Sequence, residues 1–195
     1  MEKKKQGLDF AIIGMACRFP GAETLDELWE NIANGKCLIK KIEEKEIQSL
    51  GGNVSDAGYV QYGAKLEGFA EFDAQFFDYT PRDAELTDPQ LRVFLETVYW
   101  ALEDSGYSPA NCPELTGVYA GSSASMHSYL IRNILKNGAA LESANEFKLI
   151  TGNASDYLAT QVAYKLNLKG PAVAVQSSCS TSLLAIHQAC QALYT

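Results

Sequence analysis

The residues best suited to chemistry lie near the C-terminus, in Val175-Gln176-Ser177-Ser178-Cys179-Ser180-Thr181-Ser182-Leu183-Leu184. A β-branched run leads into a cysteine set among small hydroxyl residues, and an apolar helical pattern follows. This order puts one thiol where a buried strand turns into a buried helix. The positive end of a helix favours the thiolate, the form of cysteine that attacks electrophiles. A thiolate so placed can attack a thioester, whose thiol leaves readily. An amide demands more, because the departing amine must take a proton from a general acid. Ser177, Ser178, Ser180 and Ser182 leave room for a substrate, and the Cys179 backbone N–H is available to an oxyanion. The same pattern also suits an inert, packed cysteine, since cysteine is among the most buried residue types.

The rest of the chain offers the thiol little help. His187 lies eight residues on in the same predicted helix, about 12 Å along the axis and rotated by about 80°, so it cannot reach Cys179. It reads as a packed or capping residue. His127 follows a different strand and could lie near in space, but nothing in the sequence brings it there. Cys190, three turns past Cys179, reads as core. Glu103 and Asp104 end a predicted helix and read as capping or solvated acids. There is no Gly-x-x-x-x-Gly-Lys phosphate loop and no Gly-x-Gly-x-x-Gly fingerprint. Gly121-Ser122-Ser123-Ala124-Ser125 lacks the last glycine of a Gly-x-Ser-x-Gly nucleophile elbow.

Strands and helices alternate along the chain, which predicts an α/β fold with buried strands. Leu8–Gly14 reads as a first strand and Arg18-Phe19-Pro20-Gly21 as a turn. Thr24 caps a helix through about Asn34, with Glu27 at capping-box spacing and Gly35 as the stop. Lys40–Ser55 is polar and reads as an irregular excursion; Tyr59–Leu66 alternates weakly, as a short strand. Asp73–Ala84 reads as a loop anchored by Phe76 and Phe77. The strongest helix is Asp88–Ser105, with Asp88 as cap, Pro89 in the first turn and Gly106 as the stop. Its Leu91, Phe94, Leu95, Val98 and Leu102 form one stripe. Thr116–Ala120 is a strand opening into the turn at Gly121–Ser125, and Met126–Lys136 is a helix. Asn153–Leu166 is another, with Tyr157, Leu158, Val162 and Leu166 on one face. After the turn Gly170-Pro171, Ala172–Gln176 is the strand before the cysteine and Ser180–Tyr194 the final helix.

The 195 residues suit one domain or part of one, and the 47% apolar content is enough for a sizeable core. No apolar run reaches the ~18 residues of a membrane span. Met1-Glu2-Lys3-Lys4-Lys5 is basic, but Phe10–Gly14 is too short for a signal-peptide core, so a cytoplasmic location is expected. Sixteen basic against 24 acidic residues leave a net charge of −8. The excess gathers between Glu67 and Asp104, where Arg82 and Arg92 are the only bases. Such a stretch reads as a solvated face and argues against a nucleic-acid partner. Five cysteines, an odd number with no Cys-x-x-Cys pair, support neither a disulfide framework nor a zinc site.

With these residues in view, the chain closely resembles the ketosynthase domain of modular polyketide synthases, within the β-ketoacyl synthase and thiolase superfamily. The resemblance runs from about Leu8 to Thr195. It is carried by Ala11–Gly21, by Asp88-Pro89-Gln90 with Arg92 and Phe94-Leu95-Glu96, and by Ala101–Tyr107 and Gly117–Gly121. It continues through Gly152-Asn153, Ser155–Thr160 and Tyr164–Pro171, and is most specific in Val175–Leu183. It implies the N-terminal half of a thiolase-like layered α/β/α/β/α fold, with residues 1–7 as a short basic extension and 8–195 as a partial ketosynthase domain. It implies a β-ketoacyl synthase of polyketide or fatty-acid type, an acyltransferase in which Cys179 is the acyl-accepting nucleophile. The acyl chain comes from the 4'-phosphopantetheine arm of an acyl carrier protein. A malonyl-type extender then decarboxylates and attacks that thioester. No metal or bound organic cofactor, no membrane and no nucleic acid is expected. A homodimer is implied, with Ala172–Gln176 near its axis.

Some positions depart from the family pattern. Gln161 stands where arginine is usual, Tyr99-Trp100 replaces Trp-Glu, and Asp78-Tyr79-Thr80 replaces Gly-x-Ser before Pro81; the last two read as drift on a packing surface. The family's two active-site histidines and glycine-rich oxyanion loop belong to the C-terminal half, and neither His127 nor His187 matches their motifs. The resemblance therefore implies a chain that accepts an acyl group at most and does not condense alone. The alternative is a non-catalytic scaffold or complementation half of a split or interrupted ketosynthase.

Overall fold

The computed structural model describes residues 9–49, 52–55, 58–123 and 143–194. The expected helix Met126–Lys136, with His127, lies outside them, as does the end of the turn Gly121–Ser125. Two compact units are present: Ala16–Phe69, and Met1–Met15 with Ala70–Thr195.

In the smaller unit, Leu25–Ala33 form helix α1. Thr24 is extended and its Oγ1 accepts from the Glu27 N–H at 3.2 Å, while the Glu27 carboxylate accepts from the Thr24 N–H at 3.3 Å. This is the capping box read from the sequence, and it satisfies amides that the first helical turn leaves open. Gly35, at φ +60°, takes the left-handed conformation that stops the helix. The buried Asn31 donates to Gly21 O at 2.8 Å and fastens the helix to the preceding turn. Lys40–Lys41 (β1) pair antiparallel with Tyr62–Gly63 (β2), and Glu44–Ser49 form a short helix, α2. Residues 40–49, the start of the expected irregular excursion, are thus more regular than their polarity suggests. The backbone partners of β1 come from Tyr62–Gly63, inside the stretch expected as a short strand.

The larger unit is built on α4, Pro89–Asp104. The buried Asp88 caps it, accepting from the Gln90 N–H at 2.7 Å, so this acid belongs to the interior and not to the solvated face. Leu91 and Leu95 are sealed from solvent, and Phe94, Val98 and Leu102 pack on the same core. Opposite them lie Val118 and Ala120 from strand β3 (Val118–Ala120) and Leu158, Ala159 and Val162 from helix α6 (Leu158–Lys165). Strand β3 pairs in parallel with β4, Ala172–Ala174. Helix α3, Pro81–Leu86, starts inside the stretch expected to be loop, because Thr80 Oγ1 accepts from the Asp83 N–H at 3.1 Å.

Two expected elements take another form. Residues 9–14 make no strand, and Phe10, Ile12 and Ile13 are exposed; a strand exists only with a neighbour to complete its ladder. The segment is instead held on α4, where Asp104 Oδ2 accepts from the Met15 N–H at 2.8 Å and a Cβ on Gly14 would overlap Ala101 O. The helix expected over Asn153–Leu166 is present but starts later than its expected first residue. Helix α5, Ser143–Asn153, ends at Asn153, Ala154 is extended, and a 3₁₀ turn at Ser155–Tyr157 leads into α6. The break has a cause: Asn153 Nδ2 donates to Leu149 O at 2.8 Å and across to Leu86 O at 2.7 Å.

Lys148 of α5 donates to Asp83 of α3 at 2.6 Å. That hydrogen bond is the main reason that the Asp83 carboxyl sits below its usual range. A depressed folded value means stability present above the ordinary carboxylate range and lost as pH falls through the depressed value. The pair is solvent-screened, so Asp83→Asn is expected to remove only about 0.5 kcal/mol at neutral pH. Urea unfolding should show that difference at pH 7 and none once the pH is low enough to protonate Asp83 in the wild type.

Candidate active site

The β3–β4 ladder carries the thiol. Val118, Tyr119 and Ala120 register with Ala172, Val173 and Ala174, and the Val175 N–H reaches Ala120 O at 2.8 Å, one step past the strand. The chain then turns. Ser178 has φ +47°, and Ser178–Ser180 form a single 3₁₀ turn before helix α7, Thr181–Ala192. For a residue with a Cβ the left-handed region costs roughly 1–2 kcal/mol, so neighbouring bonds must hold the turn. The Thr181 hydroxyl accepts from the Ser177 N–H at 2.9 Å and donates to Ser178 O at 2.9 Å. Ser180 Oγ donates to Ser177 O at 2.8 Å and lies 2.7 Å from Ser177 Oγ.

Cys179 sits in the middle of this turn with its thiol exposed. The packed, inert alternative therefore does not describe it. The turn closes through Ser180 N–H on Ser177 O and Thr181 N–H on Ser178 O, bonds that leave out the Cys179 N–H. The positive end of α7 begins two residues later, at Thr181.

The support beneath the turn was not legible as such in the sequence. Gly121 follows β3, and a Cβ there would overlap both Val175 O and Thr181 Cγ2. Only a glycine lets the end of β3 come this close to the turn. Gln90 Oε1 accepts from the Ser123 N–H at 3.3 Å, which ties the loop after β3 to the start of α4. The Asp88 N–H donates to Gly152 O at 3.0 Å. These contacts give physical roles to the Asp88-Pro89-Gln90 and Gly152-Asn153 blocks. A glycine directly after a strand pattern was the one available signal for Gly121.

The other candidates do not join Cys179. His187 is exposed on α7, eight residues further along the same helical path. Cys190 is half-buried in α7 and Cys112 lies 3.1 Å from Thr116 Oγ1. In the smaller unit Cys37 is exposed, while burial and then the Glu27 carboxylate push the Cys17 thiol up. An apolar cavity of about 370 Å³ lies among Phe94, Val98, Leu102, Thr116 and Val118. It is at the start of β3, the opposite end of the parallel strands from Cys179. Among the described residues, no group of three His, Cys, Asp or Glu side chains could hold a metal ion. Among them also, no helix is long and apolar enough to cross a membrane.

Residues 9–195 match the family profile of the β-ketoacyl synthase N-terminal domain. The chain belongs to this family. It is 41% identical over 192 residues to a component of the phenolphthiocerol/phthiocerol polyketide synthase of Mycobacterium tuberculosis, covering 94% of this chain and 13% of that protein. It is 38% identical over 191 residues to a pikromycin polyketide synthase component of Streptomyces venezuelae, covering 94% and 5%. Among solved structures, the ketosynthase from module 1 of the Bacillus amyloliquefaciens bacillaene synthase superposes with a TM-score of 0.77 at 36% identity. It is covered over 94% of this chain and 32% of its own. The chain thus spans less than a third of each of these relatives, and it shares the α/β, thiolase-like ketosynthase fold.

The structure gives several of the departing positions local roles. Asp78 stands at φ +54°, a conformation in which glycine is at ease and Asp is tolerated. Lys165 Nζ donates to Asp78 O at 2.8 Å and stands 3.8 Å from the centroid of the Tyr79 ring. Burial pushes the Tyr79 hydroxyl up to about 12. Thr80 caps α3 as a serine would. Tyr99 packs edge-on against Phe76 at 5.0 Å, so this departure does lie on a packing surface. Gln161 is half-buried on α6.

Proposed function

We propose that this chain is the nucleophile-bearing half of a β-ketoacyl synthase that elongates acyl chains in polyketide-type biosynthesis. The observation that carries the reading is the exposed Cys179 thiol in a strained turn between β4 and α7, within a sequence matched to the family along its length. The thiolate attacks the acyl carbonyl of a carrier-protein phosphopantetheine thioester; the carrier thiol leaves and the acyl group stays on sulfur. A malonyl-type extender then loses carbon dioxide, its carbanion attacks the acyl-cysteine carbonyl, and the chain, longer by two carbons, departs on the carrier. Histidines of the C-terminal half promote decarboxylation and stabilise the carbanion. The full domain works as a cytoplasmic homodimer with β4 near the axis, and binds no metal or organic cofactor of its own.

Helix α7 supports a further layer packed against it. Leu183 and Ile186 are 75% and 61% exposed. A stripe of this kind calls for a packing partner. The alternative, a scaffold or complementation half, uses the same surface without acylation.

Intact-mass analysis separates them. After incubation with an acyl thioester and malonyl-carrier protein, the chain is expected to gain one acyl group on Cys179. It should release no carbon dioxide and make no elongated product. Condensation by the chain alone would overturn the assignment of these steps to the other half.

A further inference from the structure

The turn around Cys179 is spanned by one side chain whose two branches do different things. Thr181 is the first residue of α7. Its Oγ1 accepts from the Ser177 N–H at 2.9 Å and donates to Ser178 O at 2.9 Å, so its bonds straddle the cysteine in sequence. Its methyl, Cγ2, occupies the place that a side chain at position 121 would take. A β-branched residue is stiff about χ1. Contact of the methyl with the glycine at the end of β3 therefore aims the hydroxyl at the turn. The second set of bonds, between Ser180 and Ser177, lies on the exposed side, where water competes for it. The Thr181–Ser177 bond is partly buried.

We propose that Thr181, seated on Gly121, is a positioning residue that holds the Cys179 backbone in the geometry required for acyl transfer. This rests on the reading of Cys179 as the acyl acceptor. Ser178 is in the left-handed region, and a three-residue turn has few bonds of its own with which to keep it there. Acyl transfer is sensitive to that conformation. The carbonyl carbon must meet sulfur while its oxygen meets a backbone donor, and small misplacements slow such steps steeply. Alkylation by iodoacetamide forms a carbon–sulfur bond and expels iodide, with no oxyanion to receive. It reports whether the thiol is present and reachable, and is indifferent to the donor's position. The two reactions at one sulfur therefore separate positioning from mere integrity.

The test compares the full chain with T181V, T181A and T181S. Acylation by an acetyl-N-acetylcysteamine thioester and alkylation by iodoacetamide are both followed at Cys179 by mass spectrometry, with far-UV circular dichroism on each protein. T181V and T181A are expected to acylate about tenfold more slowly, with alkylation within twofold of wild type. T181S, which keeps the hydroxyl, should recover most of the acylation rate. Wild-type acylation rates in T181V and T181A would overturn the positioning role and leave the nucleophile reading intact. A parallel fall in acylation, alkylation and helical signal would overturn it in favour of a purely structural residue. Absence of acylation at Cys179 in the wild-type chain would overturn the nucleophile reading and this inference with it.

Discussion

Cys179→Ala is expected to abolish acyl labelling of the chain, a fall of at least about a thousandfold in the rate of acyl-enzyme formation. The magnitude follows from the chemistry. Sulfur is the atom that bonds to the acyl carbon, and no neighbour can replace it. Ser177, Ser178 and Ser180 surround it with hydroxyls, but those of Ser177 and Ser180 are bonded within the turn, and a serine hydroxyl without an adjoining base is a poor nucleophile. The substitution should not disturb the fold. The Cys179 side chain is exposed, and the bonds that close the turn come from Ser177, Ser178, Ser180 and Thr181. Intact-mass spectra of wild type and variant after acyl-thioester treatment check this, with unchanged circular dichroism as the control. Equal labelling of both would remove Cys179 from its role.

Leu95→Ala is expected to weaken the larger unit by about 3 kcal/mol, the usual loss when a sealed leucine becomes alanine and leaves a cavity. Leu95 is 0% exposed and belongs to the core where α4, α6, β3 and the loop aromatic Phe77 meet. None of its close-packed neighbours can refill the space without leaving its own contacts. The effect reaches the site because β3 and Gly121 are positioned by this core. Urea unfolding followed by helical circular dichroism measures the loss, and Leu183→Ala on the exposed face of α7 serves as the comparison. That substitution should stay within about 0.5 kcal/mol. Equal effects at both positions would mean that the core has been wrongly located.

Local rules served well where an element is stabilised by its own residues. Thr24 and Glu27 cap α1 from within the first turn. Asp88, Pro89 and the stripe Leu91–Leu95–Val98–Leu102 declare α4 by capping and period alone. The thiol at a strand-to-helix junction was legible for the same reason, since the β-branched run, the small hydroxyl residues and the apolar helix are adjacent in sequence. The family blocks then pointed to its chemistry.

Where backbone partners come from far away, local rules fell short. Phe10–Ile13 has the composition of a strand yet makes no ladder, because pairing needs a neighbouring strand as well as propensity. β2 falls within the weak alternation of Tyr59–Leu66, but β1 arises in a polar stretch and forms only because β2 pairs with it. The helix expected from Asn153 begins only after an extended Ala154, because the Asn153 amide bonds to Leu86, a residue of α3 distant in sequence. The drift expected at Asp78 and Thr80 is a left-handed turn and a helix cap, which only backbone angles reveal.

The amino-acid order alone thus specified a thiol at the mouth of a helix, its small neighbours, the main helices and the family to which they belong. These depend on contacts within a few residues, on periodicity and on motif spacing. The tertiary fold decided how the thiol is presented. It exposed Cys179, put Ser178 into the left-handed region, set the Thr181 hydroxyl across the turn, and brought Gly121 so close that no side chain fits there. Those features arise where β3, β4 and α7 converge, and close packing among distant segments is a property that no local stretch of sequence contains.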